Sequence, residues 1–193
     1  MTGPGPAPVL AAWPGLLEPA LGYALAVVQA ITPEVLPRPT PCQGWDVRML
    51  LRHASESLVA LHEGIDAGRV GLRPAPDDPA GDPAQIFRDR AGRLLAAWPD
   101  GREEIVAIAD RQLTLGALIG VGALELAVHG WDLSRACDDR APIPGTLATC
   151  LLDISPLLVP RTGRHPLFGP PVTVPPQAIP SDQLVAYLGR DPG

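Results

Sequence analysis

The sequence predicts a mostly α-helical fold, a four-helix bundle in a single domain with short additional elements toward the C-terminus. Four segments carry apolar residues at the spacing of one helix face, and proline and glycine cluster between and around them. The composition, 46% hydrophobic and 19% charged over 193 residues, is that of a globular chain long enough for one substantial core. We assign residues 1–14 to a flexible N-terminal tail and residues 15–193 to one domain that includes a proline- and glycine-rich C-terminal extension.

The first two helices are predicted from apolar spacing and from residues that start or stop helices. Leu16–Ile31 is apolar at helical spacing and ends before Pro33, because a proline disfavours helix in the preceding residue. Asp46 is the expected N-cap of the second helix. Its apolar stripe consists of Val47, Leu50, Leu51, Ala54, Leu58, Leu61 and Ile65. His53 falls within that stripe and is expected to point at the core, where a lone histidine is more often a hydrogen-bonded core residue than a ligand.

A third helix and an extended segment follow. Asp82 and Pro83 suit the N-cap and the first helical position. The apolar face of this helix is formed by Phe87, Ala91, Leu94, Leu95 and Trp98. Glu103–Asp110 is short and β-branched, which indicates a strand or an extended connector.

The fourth helix, from about Thr114 to Cys137, carries the most informative residues of the chain. Glu125 is the one ionisable side chain in the run 113–128, and His129 follows four residues later. Positions i and i+4 share a helix face, with Cβ atoms about 5–6 Å apart. Glu125 therefore faces solvent, pairs with a protonated His129, or joins His129 as a metal ligand if a third ligand exists elsewhere.

Three glycines lie in the first half of this helix, and each costs about 1 kcal/mol of helix propensity relative to alanine. They are Gly116, Gly120 and Gly122. Such residues suit a central bundle helix that a neighbouring helix approaches closely. After it, Gly145–Leu158 shows a fifth helical pattern, and Ser181 with Asp182 is expected to cap a final short helix.

His53, Glu125 and His129 together offer two imidazoles and one carboxylate from two helices. This donor set suits Zn²⁺ best, with Ni²⁺, Fe²⁺ and Mn²⁺ as alternatives. Three protein ligands leave one coordination position open, where a bound water can reach a pKa of about 7 and a thiol is held as thiolate. The spacing lacks the H-E-x-x-H pattern of zinc proteases, so the prediction depends on the two helices meeting.

Three other residues are candidates for the surroundings of this site. Asp132 either orients His129 through its ring N–H or faces water. Trp45 either packs at the helix end beside its capping aspartate or stacks on a substrate. Cys42 precedes the second helix and could flank the cavity. A fourth protein ligand, such as His62 or Cys42, would indicate a structural metal instead of a catalytic one.

Charge and cysteine content exclude several classes of partner. The net charge is −6 and every one of the 15 basic residues is arginine, which argues against nucleic acid and against a polybasic membrane surface. Three widely spaced cysteines, no recognisable signal peptide and no spanning segment predict a cytoplasmic protein. We expect a small-molecule substrate, and a homodimer is compatible with the bundle.

Two long stretches carry a resemblance to a known family: TPCQGWDVRMLLRHASESL (residues 40–58) and GALELAVHGWDLSRA (residues 122–136). With FGPPVTVP and LVAYLGRDP near the end, they resemble the DinB-like metal-binding helical superfamily, in its branch related to the N-terminal domain of mycothiol-dependent maleylpyruvate isomerase. The resemblance runs from about residue 16 to the end. It implies an up-down-down-up four-helix bundle with a divalent metal, commonly zinc, held by His53, Glu125 and His129.

The predicted function is a metal-dependent enzyme that activates a low-molecular-weight, mycothiol-like thiol, or water, toward an electrophilic small molecule. One alternative is a metal-dependent lyase, isomerase or cyclase of a specialised natural-product pathway, in which the metal is a Lewis acid. Another is a non-catalytic metal-binding or stress-response protein. The isomerase that gives the family its name has a second domain that helps form its active site. The resemblance therefore implies the bundle and the metal more directly than the isomerase reaction, and catalytic residues beyond the ligands are not identified.

Overall fold

The computed structural model of the protein describes residues 13–71, 81–97, 105–160, 162–164 and 168–193. Over these ranges the chain is mostly helical, which confirms the predicted fold class, and a small three-stranded sheet accompanies the helices. The helices are α1 (Leu17–Gln29), α2 (Val47–Ala67), α3 (Pro83–Ala96), α4 (Leu115–Ala136), α5 (Gly145–Leu158) and α6 (Pro180–Tyr187).

The first four helices form a bundle in which α4 is central. It packs against α1 and α2, while α3 lies on α2 and also contacts α1. Neighbouring residues show that α1 runs parallel to α4 and that α2 runs antiparallel to it. The pairs are Trp13 with Gly120, Tyr23 with Gly130, Leu61 with Gly122 and Gly64 with Leu118. Outside the bundle, α5 packs on α4 and α6 packs on α5.

Three helices begin at the N-caps that the sequence predicts. The side chain of Asp46 accepts a hydrogen bond from the backbone N–H of Met49 at 2.8 Å, and Thr114 accepts one from Ala117 at 3.1 Å. Asp82 caps α3 in the same way, by accepting the N–H of the second helical residue at 3.0 Å. Each contact spans two or three residues, so these helix starts are encoded locally.

The predicted cap of the last helix is wrong. Pro180 takes the first helical position of α6 and Ile179 is its N-cap, without a side-chain hydrogen bond. Proline suits that position because its φ is already helical and it has no N–H to satisfy. Ser181 instead accepts a hydrogen bond from the N–H of Ile143 at 3.0 Å, which ties α6 to the segment before α5.

The chain ahead of α1 is more ordered at its end than the predicted tail. Residues 1–12 of that tail lie outside the described ranges. Trp13 and Pro14 belong to a 3-10 turn, Trp13–Leu16, and the Trp13 side chain is 3% exposed. Burial of this large ring against α4 explains why the turn is part of the core.

The extended segment is a strand, and it belongs to a sheet that the sequence only partly predicts. β2 (Ile105–Ile108) lies within the predicted segment, of which residues 103–104 are outside the described ranges. It pairs antiparallel with β3 (Arg111–Thr114) and parallel with β1 (Arg69–Val70), neither of which was predicted. The sheet leads directly into the cap of α4 at Thr114.

Two of the predicted glycines of α4 stand where a neighbour approaches closely. A Cβ added at Gly120 would overlap the Trp13 ring, and one added at Gly122 would overlap Leu61 of α2. The prediction of close approach is confirmed at these positions. Among the helices of the described ranges, none has both the length and the apolar character needed to cross a membrane.

Gly120→Ala is therefore expected to lower the free energy of unfolding by up to about 2 kcal/mol. Overpacking against a rigid ring costs about 1–3 kcal/mol, and the better helix propensity of alanine returns about 1 kcal/mol of that. Gly92→Ala in α3 is the matched control, because a Cβ there meets nothing within 4 Å. Urea unfolding should show the control stabilised by about 0.5–1 kcal/mol, and equal shifts in both variants would contradict close packing at Gly120.

Candidate metal centre

The antiparallel packing of α2 and α4 brings the three predicted ligands together. His53 Nε2 lies 2.9 Å from Glu125 Oε1, and His129 Nε2 lies 3.9 Å from the same oxygen. The ring centroids of His53 and His129 are 5.2 Å apart, with the rings nearly perpendicular. One ligand atom from each residue lies within 4.8 Å of the other two, a spacing at which a single ion can be held.

His53 and Glu125 are partly exposed, with 34% and 31% of their side chains accessible, and they stabilise each other's charged forms. The hydrogen bond to Glu125 raises the pKa of His53, although partial burial lowers it. Burial opposes ionisation of Glu125, but the bond with His53 and the charges of both histidines outweigh it and lower its pKa. The group is therefore an anionic carboxylate between two imidazoles at an opening to solvent.

Asp132 orients His129 and does not face water. Its carboxylate is fully buried, and Oδ2 lies 3.1 Å from His129 Nδ1. With Nδ1 satisfied by the carboxylate, Nε2 is the ring nitrogen left facing Glu125. Carboxylates that hold the far nitrogen of a histidine in this way fix its ring and raise its basicity toward a metal.

Arg190, which sequence reasoning did not single out, pairs with Asp132. Its Nη2 lies 3.0 Å from Oδ2 and its Nε donates to Oδ1 at 3.3 Å. Burial opposes ionisation of Asp132, but its bonds with His129 and Arg190 lower its pKa. The sequence held one weak signal, because Arg190 lies within the stretch LVAYLGRDP, but nothing local marks it as inward-facing.

Cys42 lies beside this pair, on the side of His129 away from Glu125. Its Sγ donates to Asp132 Oδ2 at 3.2 Å and lies 3.9 Å from His129 Nδ1. Burial, reinforced by the charge of Asp132, raises the pKa of Cys42 to about 12, against the opposing charge of Arg190. The side chain is accordingly a thiol and not a nucleophilic thiolate in this arrangement.

Trp45 packs edge-on against the His53 ring, with centroids 4.9 Å apart. It is partly exposed, and the Asp46 that follows it caps α2. The contact places the Trp45 ring beside a candidate ligand, and stacking of Trp45 on a substrate stays a prediction.

Within the described residues, two sets of three donors could hold a divalent ion. One is His53, Glu125 and His129, and the other is Cys42, Asp132 and His129. They share His129 but use opposite nitrogens of its ring. His62 is in neither set, and its Nδ1 is buried without a hydrogen-bond partner.

Comparison with known proteins identifies the family of this chain. The family described as Mycothiol maleylpyruvate isomerase N-terminal domain matches residues 17–134. Two proteins of Mycobacterium tuberculosis, uncharacterized protein MT0763 of strain CDC 1551 and uncharacterized protein Rv0738 of strain H37Rv, are each 27% identical over 179 residues. These alignments cover 90% of this chain and 93% of each relative. Because the family match spans more than half of the chain and includes all three predicted ligands, the protein belongs to this DinB-like family.

Proposed function

We propose that the protein is a metal-dependent enzyme that activates a small thiol, or water, toward an electrophilic small molecule. In this proposal a divalent ion is held by His53, Glu125 and His129. The observation that carries it is the convergence of two imidazoles and a carboxylate, from two helices, within 4.8 Å and at an opening to solvent.

The neighbouring set of donors is the less suitable position for the ion. Asp132 already receives the guanidinium of Arg190 on both of its oxygens, and the same group lies 3.7 Å from Cys42 Sγ. A divalent cation among Cys42, Asp132 and His129 would meet this fixed positive charge in a poorly screened interior. His53, Glu125 and His129 have no such cation among their described contacts.

The donor set also fits the ion chemically. Imidazole nitrogen and carboxylate oxygen suit Zn²⁺, and they also suit Ni²⁺, Fe²⁺ and Mn²⁺. A divalent ion with three protein ligands lowers the pKa of a thiol or water that binds beside them, and so makes it nucleophilic near neutral pH. Among the described residues no fourth His, Cys, Asp or Glu side chain joins this set, which favours a reactive site over a purely structural one.

The residues of this chain prepare the site without taking part in a covalent step. Asp132 fixes His129, and Trp45 packs against the His53 ring. Glu125 supplies the negative charge that offsets part of the charge of the ion. The family description names mycothiol, which supports a low-molecular-weight thiol as the co-substrate.

The proposal predicts about one divalent ion per chain after mild purification, and consumption of an electrophile that depends on both metal and thiol. Metal analysis measures the first. A panel of α,β-unsaturated and epoxide electrophiles, assayed with mycothiol, other thiols and no thiol, measures the second. Conversion without any thiol would favour the lyase or isomerase alternative, and metal binding without turnover would favour a non-catalytic protein. A chain that retains no metal would contradict the proposal.

A further inference from the structure

His129 is shared by two sets of donors that compete for one imidazole. Its Nε2 faces Glu125 and His53, and its Nδ1 faces Asp132 and Cys42. A thiolate, a carboxylate and an imidazole are at least as good a set for Zn²⁺ as two imidazoles and a carboxylate, because sulfur is among its preferred ligands. Donor chemistry alone therefore does not direct an ion to the first set.

Arg190 distinguishes the two sets. Its guanidinium reaches both oxygens of Asp132, at 3.0 Å and 3.3 Å, and approaches Cys42 Sγ at 3.7 Å. Arginine is always charged and only donates hydrogen bonds, so it occupies the lone pairs that a metal ion would need. Its side chain is 13% exposed, which leaves little solvent to screen the repulsion.

We propose that Arg190 is a built-in cation that keeps a divalent ion out of the Cys42, Asp132 and His129 set and thereby directs it to His53, Glu125 and His129. Arg190 is a positioning residue in this proposal. Because Arg190 pairs with the ionised Asp132, that carboxylate stays in place to hold His129 Nδ1, which leaves Nε2 for the ion. The inference rests on the metal assignment in the proposed function, and Arg190 lies beyond the part of the chain that the family match covers.

The backbone places Arg190 independently of any ion. Gly189 follows α6 with φ +86°, and a Cβ there would overlap the backbone of Gly169, so only glycine permits this turn. The N–H of Arg190 then donates to Val185 O at 2.9 Å. Arg135 fixes the next residues by donating to Pro192 O at 2.8 Å. An anchored segment of backbone therefore fixes the position of the guanidinium beside Asp132.

Cobalt(II) binding to the metal-free, reduced protein tests this proposal, because a cysteine ligand adds a thiolate-to-cobalt charge-transfer band in the near ultraviolet. The parent protein should bind Co²⁺ without that band. Arg190→Gln should show the band. The affinity of its His53, Glu125 and His129 set for Co²⁺ should fall about 10- to 100-fold, as expected when the group that orients a ligand is disturbed. Adding Cys42→Ser to Arg190→Gln should remove it.

Two controls separate charge from a general loss of anchoring. Arg190→Lys keeps a positive charge at the position and should show no thiolate band. Arg135→Gln removes another anchor of the same segment without touching Asp132, and its cobalt spectrum should match that of the parent. A folded Arg190→Gln protein without the band, or an Arg135→Gln protein with it, would overturn the proposal.

A second comparison does not require Arg190→Gln to fold. His53→Ala disables the first set and leaves Arg190 in place, so it should bind Co²⁺ weakly and show no thiolate band. A thiolate band in His53→Ala would mean that Arg190 does not exclude the ion, which overturns the proposal. Co²⁺ bound by the parent with no dependence on His53 would instead refute the metal assignment, so the two failures are distinguishable.

Discussion

Replacing His129 with alanine is expected to abolish binding of the divalent ion. His129 belongs to both sets of donors, so its removal dismantles the proposed site and the alternative site together. The loss should exceed the roughly 10- to 100-fold that removal of a residue orienting a ligand costs. Metal analysis after mild purification, and titration calorimetry on the metal-free protein, measure the effect.

His129→Ala should affect the stability of the fold less than it affects metal binding. In the metal-free protein His129→Ala removes one partner of Asp132, while Arg190 and Cys42 remain on the same carboxylate. The expected decrease in the free energy of unfolding is about 1–3 kcal/mol, the cost of a lost buried hydrogen bond. Urea unfolding in the presence of a chelator measures it without a contribution from bound metal.

His62→Ala is the matched control for the histidine variants. His62 lies on α2, as His53 does, and belongs to neither donor set of the described residues. This variant should retain the metal content of the parent, whereas His53→Ala should not. Metal retained by both His53→Ala and His129→Ala would exclude the proposed ligands, and metal lost from His62→Ala would indicate a fourth protein ligand.

The helix starts and the approach of His53 to Glu125 were predictable from the sequence for the same physical reason. Asp46 and Thr114 cap helices through hydrogen bonds that span three residues. His53 and Glu125 are 72 positions apart, but each is a polar residue on an apolar helix face, so each carries its own local signal. Such a residue needs a polar partner when the faces pack together.

The sheet and the arginine were less predictable because their contacts are distant and their surroundings are not distinctive. β1 has two residues, and its partner in β2 lies 38 positions away at Arg69 and Ala107. Arg190 lies 58 positions from Asp132 and 148 from Cys42, in a polar segment near the end of the chain. An arginine there contrasts with nothing around it, so only the folded chain shows that its side chain is largely enclosed.

The buried pair of Asp132 and Arg190 leads to the second large effect. Asp132→Asn is expected to lower the free energy of unfolding by about 3–5 kcal/mol, because it leaves the guanidinium of Arg190 in the interior without its counter-charge. The amide cannot replace the carboxylate. Both oxygens of Asp132 meet donors, from Arg190, His129 and Cys42, so the amide NH₂ must face at least one of them.

Asp138→Asn provides the matched control on the surface. Asp138 pairs with Arg38 at 2.9 Å, close to the 3.0 Å of the buried pair, but the two side chains are 82% and 45% exposed. Solvent screens such a pair, so removing its charge should change stability by no more than about 1 kcal/mol. Equal losses in the two variants would show that burial does not strengthen the Asp132 pair.

Combining Asp132→Asn with Arg190→Gln separates the effect of the carboxylate on the fold from its effect on the metal. With both charges removed, no uncompensated charge remains buried, so much of the lost stability should return. Metal affinity should stay about 10- to 100-fold below that of the parent, because His129 still lacks the carboxylate that orients it. If affinity recovered together with stability, Asp132 would act on the metal only through the fold. Recovery of stability without recovery of metal affinity would instead support a direct role of Asp132, in which it directs Nε2 of His129 toward Glu125.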